Sequence, residues 1–392
     1  MSTAVDIFAN HRTFYVPQFQ VSIAGTTLKE GLLRDVMQVT YRDSIEEIDS
    51  FELVVNNWDA GARMPQPKYE PPSRPGNTGI FDPGQRLELR MGYMPEMILM
   101  LTGEITTLEP NFPEASYSTL SVRGLNVLHS LRTEQHTYSW ENKRDSDIAK
   151  ELGEKPLQAG QAGLGIKVNI DPAPDETAET FVMMNNQYDI VFLLERARRH
   201  GYDVILNEQS ATNPERNIYF GPSKTKREAP TYRLVWGKTL TSFKPTLNAS
   251  RQVSSVTVRG WDRKANKLIE KKKTWTDLVT DANEKKRMEL ISQAFNRGEI
   301  VTNQPVRTDA EADQKATDIL TRQLREMVKA SGVTVGLPDL RAGRKVEIEG
   351  LGPRYSGTYY ITSTTHTIGE GGYRTQFEAR RDPMDQPPGG TQ

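Results

Sequence analysis

Two distant stretches of the sequence carry the same pattern of three alternating strands punctuated by glycine, and this duplication limits the folds open to the chain. In each strand apolar and polar residues alternate, which places the apolar side chains on one face of a half-buried antiparallel sheet or barrel. A chain with two such units behaves as a pseudo-dimer, so three copies could present six similar sheets around one axis. The first unit covers residues 84–93, 102–108 and 118–123, and the second covers residues 343–350, 356–363 and 374–380.

The length and the changes of pattern along the chain predict several domains. At 392 residues the chain exceeds one ordinary core. The predicted fold class is α+β and mainly β, with two similar antiparallel β-barrel domains and a smaller α+β domain that assemble as a pseudo-sixfold trimeric ring. We expect these segments: a first β-barrel domain at residues 1–132 with a Pro-rich loop at 65–79, an α+β domain at 133–233, a second β-barrel domain at 234–382 with a polar, helical insertion at 264–333, and a flexible tail at 383–392.

The charge balance and the cysteine count exclude several classes of function. Fifty Lys and Arg residues against 51 Asp and Glu residues give a formal net charge of −1, without the basic excess of a nucleic-acid-binding protein. No cysteine is present, so disulfides, thiolate nucleophiles and Cys-based zinc sites are excluded. No segment approaches the roughly 20 apolar residues that cross a bilayer, so membrane insertion is not expected. The N-terminal residues lack the pattern of a secretory signal, and we expect synthesis in the cytoplasm.

The histidines are the first candidates for a metal site or a general base. None of them has the spacing of a known ligand pair, and no glutamate is placed as in a metalloprotease helix. We therefore expect structural histidines, no metal and no cofactor. The five residues are His11, His129, His136, His200 and His366.

Carboxylate pairs could serve a glycan-hydrolysing site, which needs one carboxyl group held protonated. The pair Asp43 and Glu46 and the pair Asp145 and Asp147 are candidates, but they cannot be distinguished from capping and solubilising charges. No Gly-x-Ser-x-Gly motif is present to hold a serine nucleophile. The sequence thus indicates no group of residues that would act together in catalysis.

Three further local features are weak signals of function. The glycine-rich residues 160–165 lack the Gly-Lys-Ser/Thr ending of a phosphate-binding loop and predict a turn. The basic run at residues 271–273 could contact an acidic partner, although a solvated face is the simpler interpretation. Tyr69, in the Pro-rich loop, could contact a glycan.

Glycines and aromatic residues are the candidate assembly residues. Gly103 and Gly357 fall at matching places where a strand begins, as expected for a bulge, a tight corner or close backbone approach. Residues 257–262 echo residues 121–126, which supports the duplication. Large aromatic side chains suit a core or a subunit contact. The complete set is Gly84, Gly103, Trp236, Trp261, Gly343, Gly357 and Tyr373.

The order and spacing of short segments resemble the phage late control gene D protein family. These proteins are the hubs of contractile tails, and the family includes the N-terminal hub part of the VgrG spikes of type VI secretion. The resemblance extends over nearly the whole chain. The matching segments are residues 49–53, 84–89 with Gly92 and Tyr93, 103–105, 189–194, 201–204, 236–240, 258–262, 357–362, His366 and 372–377.

The resemblance implies a trimeric hub in which two barrel domains per subunit form a sixfold-like ring. It implies an inner tube protein on one side, a separate spike protein on the other, and other baseplate proteins nearby, including a LysM-type adaptor. The VgrG relatives carry a fused β-helical spike, whereas this chain ends soon after its second predicted barrel. The finished protein would belong to a virion-like or injection particle.

Two alternatives remain open at this stage. The first is a tail-associated peptidoglycan hydrolase, which would use the abundant carboxylates. The second is a host glycan-binding tail module, which would depend on exposed aromatic residues such as Tyr69. We expect a non-enzyme, because no recognisable hydrolase insert is present.

Overall fold

The computed structural model describes most of the chain. The described residues are 5–6, 16–59, 61, 66–69, 79–114, 117–154, 165–172, 176–210, 214–223, 232–250, 252–263, 265–303 and 306–383. His11, most of the Pro-rich loop, residues 160–164 of the glycine-rich run and nearly all of the predicted tail lie outside them.

The N-terminal part of the chain is almost entirely strand. Its strands alternate buried and exposed side chains, as the period-two pattern predicts. The elements are β1 (Val5–Asp6), β2 (Pro17–Ile23), β3 (Thr26–Thr27), α1 (Glu30–Leu33), β4 (Val36–Ser44), β5 (Ser50–Asn56), β6 (Arg86–Tyr93), β7 (Glu96–Asn111) and β8 (Thr119–Asn126).

A mixed α and β region follows. It contains a 3-10 helix (Val127–Arg132), β9 (Gln135–Lys143), α2 (Asp145–Glu154), β10 (Lys167–Ile170), β11 (Glu179–Tyr188), α3 (Asp189–His200), β12 (Tyr202–Asn207) and β13 (Asn217–Pro222). Helix α3 ends at Gly201, whose φ of 64° gives the left-handed conformation that glycine adopts without steric cost. The region has its own apolar core, which includes Leu152, Phe192 and Phe220.

The C-terminal part returns to strands around a mixed insertion. Its elements are β14 (Tyr232–Val235), β15 (Leu240–Leu247), β16 (Ser255–Asp262), β17 (Lys267–Thr274), α4 (Trp275–Leu278), α5 (Ala282–Ala294), β18 (Gly298–Val301), α6 (Asp309–Arg325), β19 (Val328–Val335), β20 (Lys345–Glu349), α7 (Gly352–Tyr355), β21 (Gly357–Gly369) and β22 (Gly372–Arg381). None of the helices in the described residues is both long and apolar enough to cross a membrane.

Most strands of the described residues belong to one 14-stranded sheet. Its order is β1-β14-β20-β21-β4-β5-β8-β7-β6-β2-β3, and β22, β19 and β15 extend from β21. The pairings are antiparallel except for β1 with β14 and β14 with β20. Within the described residues this path of hydrogen-bonded strands does not close on itself.

The mainly β fold with large antiparallel sheets that the sequence predicts is confirmed. The predicted bounds of the insertion, 264–333, stay a prediction, and the described part of the chain between β15 and β19 leaves the large sheet. It forms the three-stranded sheet β17-β16-β18 with α4, α5 and α6. The trimeric ring stays a prediction.

Candidate assembly surfaces

Two groups of five strands share one pairing order and contain the duplication. The first unit is β4-β5-β8-β7-β6, and the second unit is β15-β19-β22-β21-β20. The long fourth strand of each unit in this order bulges at the same rung, at Thr106 in β7 and at Thr362 in β21. A second matched pair of bulges lies at Met37 in β4 and Thr241 in β15. Matched bulges fix the alignment of the two units residue by residue.

Gly84 and Gly343 occupy equivalent turns. The N–H of Gly84 donates to the carbonyl of Ile105 at 2.8 Å, and the N–H of Gly343 donates to the carbonyl of Ile361 at 3.0 Å. In both units that isoleucine donates back to the residue after the glycine. Their φ values of 87° and 81° lie in the region that favours glycine.

Gly103 and Gly357 are not equivalent, which corrects the sequence-based prediction. Gly103 pairs with Leu87, and the counterpart of that pair in the second unit is Tyr359 with Val346. Gly357 therefore lies two residues away from the place that matches Gly103. The error arose because the sequence pattern begins a strand at each glycine, whereas Gly103 lies in the middle of β7 and Gly357 is the first residue of β21. Sequence spacing alone does not reveal the register.

Each of these glycines nevertheless has a local structural reason. A Cβ atom on Gly103 would overlap the carbonyl oxygen of Leu125 on β8, so the backbones approach too closely for any side chain. Gly357 has a φ of 133° and lies against the guanidinium of Arg381.

The echo between residues 257–262 and 121–126 is not part of the duplication. Residues 257–262 lie in β16, which pairs with β17 and β18 in the separate three-stranded sheet. The counterpart of β8 is β22. A short alternating segment looks the same in any half-buried strand, which explains the coincidence.

The two units meet within the chain by direct strand pairing. The C-terminal half of β21 pairs antiparallel with β4, from Ser363 opposite Ser44 to Ile368 opposite Val39. The N-terminal half of the same edge of β21 pairs with β20. This junction makes the two units one continuous sheet.

A buried ion pair lies at the junction. The Nε of Arg341 donates to the Oδ2 of Asp43 at 2.6 Å, and its guanidinium also contacts the Tyr41 hydroxyl and donates to the carbonyl of Met100 at 3.1 Å. Thr364 donates to the same carboxylate through its N–H at 3.2 Å and through its hydroxyl. Every charge is paired and hydrogen bonded, which a buried ion pair requires.

His366 lies beside this ion pair and is completely buried. Its Nε2 lies 3.0 Å from the Leu340 carbonyl and therefore carries the proton, while Nδ1 is the acceptor and lies 3.0 Å from the Tyr373 hydroxyl and 3.1 Å from the Thr375 hydroxyl. Burial lowers the pKa of His366 to about 4, so the ring is neutral at physiological pH. Tyr373 also packs against Tyr93 of the first unit, with ring centroids 5.7 Å apart.

Asp49 extends the polar cluster on the first unit. Its Oδ2 accepts from the side-chain amide of Asn126 at 3.0 Å and lies 3.4 Å from the Tyr41 hydroxyl. Burial, reinforced by the nearby charge of Asp43, raises the pKa of Asp49 to about 7, although Arg341 opposes the shift.

The two tryptophans are exposed, so the core alternative is wrong for them. Trp236 is 58% exposed beside the end of β20, where its backbone N–H donates to the Glu349 carbonyl. Trp261 is 52% exposed and lies opposite the exposed Leu268 on the β16–β17 hairpin. A subunit contact for these residues stays a prediction.

A second ion cluster joins the α+β region to helix α6. The guanidinium of Arg196 donates to Asp145 and to Glu179, both at 2.5 Å. His200 lies between two carboxylates, with its Nε2 2.8 Å from Asp145 and its Nδ1 3.3 Å from Asp318 on α6. Burial alone would lower the pKa of His200, but these two carboxylates outweigh it and raise the pKa to about 10.

This cluster does not fit a metal ion. Asp145, Glu179 and His200 place ligand atoms within 4.8 Å of one another. However, Arg196 bridges the two carboxylates, and a cation there would have to displace a buried guanidinium. The sequence did not single out the cluster, although Arg196 and His200 are four residues apart and therefore share one face of α3.

The candidate carboxylate pairs are engaged in ion pairs. Asp43 and Asp145 bind guanidinium groups as described above, Glu46 lies 3.8 Å from Arg198, and Asp147 accepts from Arg144 at 3.0 Å. The hydrogen bond from Arg144 lowers the pKa of Asp147. Hydrolysis needs a carboxyl group with a raised pKa beside a second free carboxylate, and neither pair provides this arrangement.

Tyr69 is not a free exposed aromatic residue. Its hydroxyl donates to Asp35, and its ring meets the buried Phe81 edge-on at 5.2 Å. Tyr69 therefore anchors part of the loop to the first unit, which removes the basis for a glycan contact at this residue.

The basic run on β17 is largely neutralised within the chain. Lys271 and Lys273 point to helix α6, where they lie 3.7 Å from Asp309 and 2.9 Å from Asp313. The expectation of a wholly solvated face is therefore only partly right.

A polar groove of about 680 Å³ runs across the junction. It is lined by β15, β19, β22, β21 and β4, with charges of both signs that include Arg42, Lys244, Lys329 and Glu378. The groove is the hydrophilic face of the continuous sheet rather than an apolar small-molecule site.

Several solved structures with this fold are phage tail or secretion proteins. The 43 kDa tail protein of prophage MuSo2 from Shewanella oneidensis has a TM-score of 0.64 at 16% identity, covering 95% of this chain and 100% of that protein. A tail protein from Neisseria meningitidis MC58 has a TM-score of 0.65 at 13% identity, covering 95% and 100%. A type VI secretion component from E. coli, described as structurally similar to the T4 tail proteins gp27 and gp5, has a TM-score of 0.56 at 12% identity, covering 94% and 79%. At these identities the similarity establishes the fold.

A search of curated proteins found no match to this chain. The family model described as the Alg8 N-terminal domain matches residues 15–370, which is most of the sequence. The chain therefore belongs to the Alg8 N-terminal domain family.

Proposed function

We propose that this protein is a structural hub of a contractile injection system or phage tail baseplate, a trimer that adapts a sixfold inner tube to a threefold spike. The observation that carries the proposal is the pair of matched units merged into one continuous sheet. Two equivalent units per chain give three chains six equivalent positions, and a ring of three then matches both symmetries.

The fold of the structural neighbours supports a role in a tail or baseplate. Three of them are named as tail or type VI secretion proteins. A fourth comes from a Francisella PdpA–VgrG complex, with a TM-score of 0.53 at 9% identity. The segments shared with the late control gene D family point the same way.

The proposed partners are other copies of the chain, an inner tube protein, a separate spike protein and further baseplate proteins such as a LysM-type adaptor. We propose synthesis in the cytoplasm and assembly into a particle. We also propose that the chain divides into the first unit, the α+β region, and the second unit with its insertion. Three apolar clusters correspond to these parts, with Ile368 and Tyr373 of the second unit packing in the cluster of the first unit.

We propose no catalytic role. The candidate carboxylates are bound to arginines, and the aromatic residue that suggested glycan binding is tied to Asp35. The hydrolase and glycan-binding alternatives therefore lack a supporting observation.

Light scattering and particle imaging test the hub proposal. We expect the purified chain to have three times its 44.3 kDa mass, or to form a complex that contains three copies of it when tube and spike proteins are added. Imaging of an assembled particle should place three copies between tube and spike. A protein that stays monomeric in the presence of both partners, or that is absent from the particle, would overturn the proposal.

A further inference from the structure

The internal junction shows how one unit joins the next, and each unit has a strand edge on which the same kind of junction could form with another copy. Within the chain, β20 covers only the N-terminal half of one edge of β21, and the C-terminal half of that edge pairs with β4. The equivalents of these strands are β7 in the first unit and β15 in the second unit. The C-terminal half of β7 pairs only with β8, and β15 beyond Leu240, which also bridges Trp236, pairs only with β19, so each leaves one edge open among the described strands.

We propose that β7 of one chain pairs antiparallel with β15 of a neighbouring copy, in the register of the internal junction. This inference rests on the proposed ring and names the strands and rungs that build it. The matched bulges give the alignment. Ile105 of β7 is equivalent to Ile361 of β21, and Leu240 of β15 is equivalent to Val36 of β4. The predicted rungs are Leu108–Leu247, Glu109–Thr246, Pro110–Pro245, Asn111–Lys244 and Phe112–Phe243.

The apolar residues of the two edges match in this register. Leu108 and Leu247 are each partly buried against the core of their own unit. Phe112 is 61% exposed, and the proposed pairing places it opposite Phe243, which packs edge-on against Tyr359. The equivalent internal rung is buried, with Ile368 at 7% exposure. The junction would therefore cover the exposed phenylalanine.

The polar residues match on the other face. Glu109 and Asn111 are exposed, as are Thr246 and Lys244. In the proposed register Lys244 lies opposite Asn111 and diagonal to Glu109, within reach of an opposite-charge contact. A slip of one residue would place apolar side chains opposite polar ones, so the alternation favours this register.

The backbone groups of the two edges point in the required direction. The backbone N–H of Asn57 donates to the carbonyl of Ser118, so the even-numbered residues of β8 direct their backbone groups to β5 and the odd-numbered ones to β7. In the register of β7 with β8, the backbone groups of Leu108 and Pro110 are therefore directed to the open edge of β7. The N–H of Asn248 donates to Met327, and this likewise directs the backbone groups of alternate β15 residues to its open edge. Both strands thus offer alternate rungs for hydrogen bonds.

The two prolines lie at the same rung of the proposed pairing. Pro110 and Pro245 lack an N–H, and each would have directed it to the open edge. Proline at an edge discourages unwanted pairing. The prolines leave two hydrogen-bonding rungs, Leu108–Leu247 and Phe112–Phe243, so the junction between chains forms fewer hydrogen bonds than the junction within the chain.

Engineered cysteines test the register directly, because the protein contains no cysteine. The rung Glu109–Thr246 is a non-hydrogen-bonded pair, where facing residues lie closest. The variant with Glu109→Cys and Thr246→Cys should oxidise to disulfide-linked oligomers of up to three chains on a non-reducing gel. Both positions are exposed, so the changes should leave folding intact, which a thermal melt would verify.

Two control variants isolate the register. Arg42→Cys with Thr365→Cys occupies the equivalent rung within the chain and should form a disulfide without a change in chain mass. Glu109→Cys with Lys244→Cys is displaced by two residues, and the loss of linked oligomers is expected because diagonal residues lie too far apart for a disulfide.

The outcomes separate the register from the hub proposal. Linked oligomers in the aligned variant alone support the inference. Failure of the aligned pair to link in a protein that is trimeric by light scattering would overturn the register and leave the hub proposal standing. A protein that remains monomeric with its tube and spike partners would overturn both.

Discussion

Individual residues in this protein are constrained by close backbone approach and by burial of polar groups. Gly103 has no room for a side chain beside Leu125. A Cβ atom on Gly31 in α1, by contrast, would have open space around it, with no described atom outside its own helix turn within 4 Å. The buried histidines have opposite electrostatic settings, since His366 is held neutral and His200 is held charged. These settings give predictions that a sequence pattern alone does not.

The glycine prediction concerns stability. Gly103→Ala should lower the free energy of unfolding by about 1 to 3 kcal/mol or more, because the added methyl group forces β7 and β8 apart. Gly31→Ala should be neutral or stabilising by up to about 1 kcal/mol. Urea unfolding monitored by circular dichroism measures both, and equal midpoints for the two variants would contradict the prediction.

The histidine prediction concerns pH. The pKa of His366 is about 4 in the folded protein and 6.5 in the unfolded chain, so the unfolded state takes up the proton first as pH falls. The contribution of the neutral ring is complete above pH 6.5 and is lost between pH 6.5 and 4, by about 3 kcal/mol. The difference in unfolding free energy between wild type and His366→Gln should therefore shrink over this window.

His200 serves as the control of opposite sign. Its folded pKa of about 10 lies above the unfolded value, so its stabilising contribution is complete below pH 6.5 and is lost as pH rises to 10. The loss of stability caused by His200→Gln should be largest in mild acid and should fade in alkali. A pH-independent difference for both variants would contradict the assigned charge states.

At the scale of elements, much of the strand pattern was predictable and the strand partners were not. The alternation of β6, β7, β8 and of β20, β21, β22 is local, so the sequence revealed both meanders. The pairing of β4 with β21 joins residues more than 300 positions apart, as for Asp43 with Thr364, and no local pattern marks it. The same limit explains the misplaced equivalence of Gly103 and Gly357 and the false echo in β16, because register depends on bulges that leave no residue signature.

The open edges lead to a prediction about the prolines. Replacing Pro110 and Pro245 with threonine would supply two N–H donors at one rung of the proposed junction. Each hydrogen bond contributes about 0.5 to 1.5 kcal/mol, so the dissociation constant of the oligomer should fall by about tenfold or more. Sedimentation measures this constant, and weaker association of the double variant would count against the pairing.

At the scale of the whole molecule, assembly should depend on the edges of the sheet. The candidate site could be predicted only in outline, because the sequence indicated duplication and aromatic contacts but not which aromatic residues stay exposed. Phe112, which the proposed pairing uses, was not among the predicted assembly residues, and the predicted Tyr373 is buried inside the chain, so its role in assembly stays a prediction. Exposure depends on tertiary packing, which the residue type does not report.

The assembly prediction compares two exposed phenylalanines. Phe112→Glu should abolish the oligomer while leaving the melting temperature of the monomer nearly unchanged, because a charge would be buried opposite Phe243. Phe181→Glu, on β11 of the α+β region and 52% exposed, is the matched control and should assemble normally. Light scattering of both variants decides, and equal behaviour would exclude a specific role for Phe112.

The strand β21 is hydrogen bonded to β22 along one edge and to β20 and β4 along the other. A pull along the direction of this strand loads many of these hydrogen bonds in shear, so they must break together rather than one after another. In the described part of the chain, the two units are therefore joined along this direction by hydrogen bonds that share the load. In a particle that drives a tube and its tip through a cell envelope, such a joint would carry mechanical force from one half of the subunit to the other without yielding.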